Sequence, residues 1–274
     1  MEKLLKNEIQ NSLLNILAEF DFFCRSNDLT YCLGWGSAIG AVLYNGFIPW
    51  DDDIDVCMPR KDYEKFLKLY KNNNKFTLNI PFKTKEYFYP FAKLCDNSTY
   101  CQSNSLRDRF GVFIDIIPFD YIKKEADFSK NDTIELLNFG YFCVHKKPKF
   151  DKAYYGEQKG VILKFKLILS HFKTLFVYRF CRLFLKKKVN KIIKKFEGDD
   201  FYCHLVWSPK PRLLPKNYFE DRKEVLFAGI KTFICKDYDN DLKMYYGDYT
   251  IIPPPEKRKE HSFYSFYKKN NFVD

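Results

Sequence analysis

Residues 36–55 read GSAIGAVLYNGFIPWDDDID, and residues 113–117, farther along the chain, read FIDII. Acidic and apolar residues alternate through Asp53 and Asp55, which predicts a strand with an acidic face over residues 53–58. The side-chain period of two puts both carboxylates on one face of that strand. They are then close enough to hold a hard divalent cation through oxygen ligands. We therefore predict a metal site at this strand.

A third acidic residue, Asp115, is embedded in an apolar strand predicted over residues 111–117. A carboxylate in such a strand is costly to desolvate unless a cation or hydrogen-bond donors compensate its charge. A metal ion shared by Asp53, Asp55 and Asp115 would compensate it, and we expect Mg²⁺, with Mn²⁺ as the alternative. Asp115 then either completes the metal site or accepts the proton of an attacking hydroxyl group.

The step Gly36-Ser37 lies between a short strand predicted over residues 31–33 and a helix predicted over residues 37–43, with Ser37 near its N-cap. Glycine at a strand-to-helix turn lets backbone N–H groups approach a phosphate, and the helix N-terminus favours negative charge there. Together with the three acids, this step predicts a site for a metal ion and a phosphate group.

The acidic stretch could also be a calcium-binding loop or a solvated turn. A calcium-binding loop that begins at Asp51 would require glycine where the chain has Val56 and glutamate where it has Asp62, so the calcium loop fails. A solvated acidic turn is the ordinary interpretation of four aspartates in five residues. It accounts for neither Asp115 nor the Gly36-Ser37 step.

The remaining elements follow from hydrophobic periodicity and from turn residues. The predictions are a first helix over 5–27, a helix over 62–70, a strand over 87–95, a turn over 96–98, a hairpin over 225–234, and a helix over 238–246 closed by Gly247.

The net charge of +11 is confined to one segment of the 274-residue chain. Residues 161–196 hold eleven Lys and Arg and no Asp or Glu, and basic and acidic residues are equal in number elsewhere. We therefore expect no nucleic-acid partner. The segment is amphipathic, which suits either a core helix with a solvated basic face or peripheral contact with an anionic membrane.

The cysteines and the N-terminus bear on the compartment. The nine cysteines form no C-x-x-C pair, and the first residues show neither a long apolar stretch nor a small-residue cleavage site. We expect a cytoplasmic protein, either free or peripheral at the inner face of the membrane.

The motifs resemble a known family. The nucleotidyltransferase-fold superfamily has a similar pattern of a Gly-Ser step, a D-x-D pair and a third acid on a strand. The run Gly40–Asp55 resembles, more specifically, the LicD family of phosphocholine transferases, which is related to the fukutin-like proteins. The resemblance continues through Arg60, residues 62–66 (DYEKF), 89–94 (YPFAKL), 111–120 (GVFIDIIPFD), 246–249 (YGDY), Pro253-Pro254, Lys257, Arg258 and His261.

The resemblance implies an α+β fold, with a nucleotidyltransferase-like mixed β-sheet core flanked by helices and a basic helical insertion. The expected division is a catalytic core over 1–122, a mostly helical insertion over 123–224, and a C-terminal segment over 225–274 that returns to the core. The implied activity is Mg²⁺-dependent transfer of phosphocholine from a CDP-linked donor to a hydroxyl of a glycan or its lipid-linked precursor. Asp53, Asp55 and Asp115 would be catalytic; the implied substrate-binding residues are Gly36, Ser37, Asp52, Lys93, Asp248 and His261.

One departure from the family pattern keeps alternatives open. Where members of the family usually have arginine, this chain has Leu43. Either Lys93 or another cation replaces that arginine, or the donor differs. The alternatives are a nucleotidyl or polyol-phosphate transferase of the same fold, and a non-catalytic protein that docks on membranes through residues 161–196.

Overall fold

The structure is a computed structural model of the chain. It describes residues 2–84, 87, 89–102, 110–123, 186–187, 190–191, 193–203, 213–258 and 264–269.

The described part of the chain is built around a curled mixed sheet. The strands are β1 Cys32–Leu33, β2 Asp55–Pro59, β3 Phe76–Asn79, β4 Ala92–Asp96, β5 Thr99–Gln102, β6 Phe113–Ile122, β7 Phe201–Cys203, β8 Leu213–Pro215, β9 Arg222–Phe227, β10 Ile230–Cys235 and β11 Ser265–Lys268. The main sheet has the order β1-β2-β6-β4-β3, and β7 and β8 extend it from the far end of β6. Strands β2 and β6 pair in parallel, whereas the other neighbours in this sheet are antiparallel.

The helices are α1 Lys6–Ser26, α2 Trp35–Tyr44, α3 Arg60–Leu69 and α4 Tyr238–Tyr246. Helix α1 buries the apolar face predicted from its sequence, including Leu13 and Ile16, and contacts β4 and β6. Phe20 of α1 also meets Phe66 of α3, with ring centroids 5.2 Å apart. The two helices therefore share one hydrophobic core with the sheet.

The predicted hairpin over residues 225–234 is confirmed and forms a two-stranded sheet of β9 and β10. Its turn uses positive φ at Ala228 and Gly229, the backbone that tight hairpin turns require. The Ala228 N–H donates to the carbonyl of Asn45, 2.6 Å away, just after α2. This contact holds the C-terminal hairpin against the end of α2. A further pair, β5 with β11, was not predicted.

The α+β class with a mixed sheet and the helix closed by Gly247 are confirmed. Several predicted bounds were wrong. The strand predicted over 87–95 begins at Ala92, and the strand predicted over 111–117 is Phe113–Ile122.

Two further differences concern the acidic residues and Ser37. The strand begins at Asp55, so Asp53 lies in a loop, where its side chain stays partly exposed to solvent. Helix α2 begins at Trp35, so Ser37 is its third residue and not its N-cap. The chain enters the helix at Gly34, which packs closely on β2: a Cβ at this position would lie 2.6 Å from Cys57 Sγ.

Most of the basic segment over 161–196, and most of the helical insertion over 123–224, lie outside the described residues. The division into three segments stays a prediction. Within the described ranges, no helix combines the length and the apolar character needed to cross a bilayer.

Candidate active site

Three predicted site residues form a row across the sheet. In the parallel pairing of β2 with β6, Asp55 lies opposite Asp115. In the antiparallel pairing of β4 with β6, Lys93 lies opposite Asp115 on its other side. Side chains of directly opposed residues project from the same face and lie within contact distance. The sheet register therefore places one lysine and two carboxylates side by side.

Lys93 is the partner of Asp115. Its Nζ donates a hydrogen bond to Asp115 Oδ1, and the lysine is 2% exposed. The Nζ lies 3.6 Å from the ring centroid of Phe113, and three further rings surround it at 4.7–5.6 Å, those of Tyr89, Phe91 and Phe110. Ring faces attract a cation and so offset part of the cost of burying it. The Lys93 ammonium is therefore held in place and compensates the charge of Asp115. The contact of Lys93 with substrate stays a prediction.

The surroundings of Asp55 disfavour a negative charge on its carboxyl group. Burial raises the pKa of its carboxyl group well above the ordinary value, and the charges of Asp53, Asp115 and Asp51 raise it further. The charge of Lys93 lowers this pKa but does not outweigh the other causes. A bound cation would relieve the repulsion, so the acidic residues form a region that attracts positive charge.

The loop that carries Asp51 and Asp53 is held by contacts with the helices. The side chain of Gln10 in α1 donates to the carbonyl of Asp51, 3.1 Å away. A Cβ on Gly36, in the first turn of α2, would lie 2.9 Å from Asp51 Oδ2. The absence of a side chain at Gly36 therefore lets the carboxylate of Asp51 approach the helix. The predicted phosphate contacts of Gly36 and Asp52 stay predictions.

Ser37 acts on the backbone of the acidic strand. The residue is 3% exposed, and its Oγ accepts a hydrogen bond from the Asp55 N–H at 2.9 Å. The Gly34 N–H donates to the Asp55 carbonyl at 3.0 Å. Both backbone groups of Asp55 are thus paired, one with Gly34 just before α2 and the other with Ser37 in its first turn, which positions the Asp55 carboxylate. The phosphate contact predicted for Ser37 stays a prediction.

The donor chemistry suits a hard cation, because carboxylate oxygens are the ligands that Mg²⁺ prefers. In the part of the chain that is described, no three His, Cys, Asp or Glu side chains are arranged to hold a metal ion as they stand. The residues that would bind Mg²⁺ are Asp53 and Asp55, whose charges already repel each other. The metal role of Asp115 stays a prediction.

Helix α4 adds Tyr246, which belongs to the YGDY motif of residues 246–249 but was not predicted to be a site residue. Tyr246 is about half exposed (48%). Burial around its hydroxyl and the nearby carboxylates of Asp55, Asp51 and Asp53 raise the pKa of this phenol. The packing of α4 against α2 brings the tyrosine to the acids, although nearly two hundred residues separate them along the chain.

Two further C-terminal residues, Asp248 and His261, were predicted to bind substrate. Asp248 is exposed, and its Oδ1 accepts hydrogen bonds from the backbone N–H and the hydroxyl of Thr250. These bonds lower the pKa of Asp248 and stabilise the turn after α4. Its predicted contact with substrate stays a prediction. His261 lies outside the described residues.

An ion pair fixes the far end of the two parallel strands. The guanidinium of Arg60, which follows β2, donates to both carboxylate oxygens of Asp120 in β6, at 2.7 and 2.9 Å. The side chain of Asp120 is 3% exposed. Such a bidentate pair restricts the geometry of both partners, so it joins the start of α3 to the strand that carries Asp115.

We expect Arg60→Met to reduce the free energy of unfolding by about 3 kcal/mol, because it leaves the buried Asp120 carboxylate without its cation. Urea unfolding of the purified chain measures this. Arg60→Lys keeps the charge but loses the planar fork, so its free energy of unfolding should fall by less than that of Arg60→Met. Equal stability of the wild type and Arg60→Met would contradict a structural role for the pair.

Comparison with known proteins gives two matches. A family model described as LicD/FKTN/FKRP, nucleotidyltransferase domain, matches residues 28–155. The chain is also 30% identical over 286 aligned positions to the lipopolysaccharide cholinephosphotransferase LicD of Haemophilus influenzae. That alignment covers 97% of this chain and 99% of the relative. The family-model match includes Asp53, Asp55, Lys93 and Asp115.

Proposed function

The chain belongs to the LicD family, and from this membership we propose that it transfers phosphocholine from a CDP-linked donor to a hydroxyl group of a lipopolysaccharide glycan or its lipid-linked precursor. The row of Asp55, Asp115 and Lys93 carries the proposal. It combines a carboxyl group whose ionisation the neighbouring carboxylates disfavour, and which a cation would therefore stabilise, with a second carboxylate held by a buried cation. The nucleotidyltransferase-like core is part of the same proposal.

The reaction is a substitution at phosphorus. The acceptor oxygen forms a bond to the phosphocholine phosphorus while the bond from that phosphorus to the bridging oxygen breaks, and CMP leaves with the bridging oxygen and its electron pair. A bound Mg²⁺ would neutralise the negative charge of the donor phosphates. Asp53 and Asp55 would hold the ion at the start of β2, where Ser37 fixes the backbone.

Asp115 is the candidate base for the acceptor proton. Its hydrogen bond from Lys93 orients the carboxylate, and a carboxylate held in position can act as a general base. Lys93 is a positioning residue in this proposal, since it would act through Asp115.

The test uses the purified full-length chain with a lipopolysaccharide that lacks phosphocholine, Mg²⁺, and CDP-choline, CDP-ethanolamine or a CDP-polyol in parallel. We expect CMP release and a mass gain of one phosphocholine group on the acceptor with CDP-choline, and loss of both with EDTA. A higher rate with the CDP-polyol would favour the polyol-phosphate alternative suggested by Leu43. Release of pyrophosphate from a nucleoside triphosphate would favour nucleotidyl transfer.

A further inference from the structure

We infer that Arg258 binds the diphosphate of the nucleotide-linked donor, from a position on the face of Trp50. The Arg258 guanidinium carbon lies 4.5 Å from the centroid of the Trp50 ring. Trp50 directly precedes Asp51, the first residue of the acidic loop. The contact therefore brings an arginine from the C-terminal part of the chain onto the residue next to the acidic loop. This inference rests on the proposed function for the donor class.

The site needs positive charge that faces a ligand. Carboxylates crowd the start of β2, and their charges already raise the pKa of Asp55. A donor diphosphate adds further negative charge, so binding requires cations besides a metal ion. As the side chains stand, the ammonium of Lys93 is taken up by Asp115 and the guanidinium of Arg60 by Asp120. Neither is placed to meet an incoming phosphate.

Arg258 is placed differently. It is partly exposed, and its Nε donates to the Pro253 carbonyl at 3.0 Å. The contacts that the structure describes for this guanidinium thus use its face and its Nε, and they leave the two Nη groups for a ligand. Stacking on an indole orders the side chain before binding and lowers the entropic cost of forming hydrogen bonds. The planar fork of an arginine suits phosphate oxygens, which accept two parallel hydrogen bonds.

The test compares the affinities of CDP and cytidine, measured by isothermal titration calorimetry on the full-length chain with Mg²⁺. We expect Arg258→Gln to weaken CDP binding about ten- to a hundredfold, the loss typical of charge-assisted hydrogen bonds. Cytidine, which lacks phosphates, should bind equally to the variant and the wild type. Arg258→Lys should lie between them, because it keeps the charge but not the fork.

Arg222→Gln is the matched control. Arg222 stacks on Phe233 at the same 4.5 Å and is also partly exposed, but it lies on the β9–β10 hairpin. We expect the Arg222→Gln variant to bind CDP with the same affinity as the wild type. If Arg258→Gln weakens cytidine and CDP equally, or leaves both unchanged, Arg258 serves only to hold its loop and the inference is wrong.

The outcomes separate this inference from the proposed function. Normal phosphocholine transfer with unchanged CDP affinity in Arg258→Gln would overturn the inference alone. CDP binding that depends on Arg258, in a wild type that transfers no phosphocholine, would overturn the proposed function alone. A wild type that binds neither CDP nor CDP-choline would overturn both.

Discussion

Asp55→Asn is expected to lower the rate of phosphocholine transfer by about a thousandfold or more, and at the same time to raise the melting temperature of the metal-free protein. The loss of rate follows because an amide cannot replace a charged oxygen ligand that binds Mg²⁺ against the donor phosphates. The gain in stability follows because the substitution removes a charge that burial, Asp53 and Asp115 all disfavour. If both effects are observed, Asp55 contributes to activity at a cost in stability.

The dependence on pH has a definite sign. A carboxyl group whose pKa is raised in the folded protein binds its proton more tightly there than in the unfolded chain. Its contribution to stability is therefore greatest at acidic pH and falls as the pH rises from its ordinary pKa through the raised one. The metal-free wild type should lose stability relative to Asp55→Asn across this interval. Added Mg²⁺ should raise the melting temperature of the wild type and not that of Asp55→Asn.

Asp53→Asn should show the same loss of transfer, with a smaller change in stability because Asp53 lies in the loop before β2. Asp199→Asn is a suitable control, since Asp199 is exposed and far from β2 along the chain. Transfer by purified Asp55→Asn or Asp53→Asn at the wild-type rate would refute the role of these carboxylates. A Mg²⁺-induced stabilisation that survives in Asp55→Asn would show that the metal binds elsewhere.

Lys93→Met should be the most destabilising single change at the site, with a loss of about 3–5 kcal/mol, because it leaves Asp115 beside Asp55 without a cation. Transfer should fall as well, since Asp115 loses the hydrogen bond that orients it. The double variant Lys93→Met with Asp115→Asn should regain most of the stability and none of the activity. Such a result would separate the structural role of the pair from its chemical role.

Urea unfolding measures the loss of stability in Lys93→Met, and CMP release measures its loss of transfer. Lys231→Met offers a matched control, because Lys231 pairs with Glu224 at 3.2 Å but is 71% exposed. Exposed pairs contribute less than about 1 kcal/mol, so its stability should hardly change. If Lys93→Met were as stable as Lys231→Met, the aromatic rings around Lys93 would have accommodated an apolar chain without cost. The ion pair would then not stabilise the fold.

Local elements were largely predictable from the sequence. The apolar period of α1, the glycine that closes α4 and the turn residues of the β9–β10 hairpin each act within a few neighbouring positions, and all three predictions are confirmed. Asp55 was identified from its spacing to Asp53, and Asp115 because an acid in an apolar strand is costly wherever that strand lies. The start of β2 at Asp55 was predicted wrongly because the alternation of acidic and apolar residues extends back to Asp53, whereas the pairing of β2 with β6 begins at Asp55.

Tertiary structure alone decided which of these residues meet. The parallel register of β2 with β6 sets Asp55 beside Asp115, and the antiparallel register of β4 sets Lys93 on the other side. The sequence identified Lys93 only through a family resemblance, and it could not show that four rings enclose the ammonium. Tyr246 reaches the acids, and Arg258 reaches Trp50, through contacts between distant parts of the chain. Residue types and their periods are properties of the sequence, whereas register and long-range packing arise only when the whole core forms.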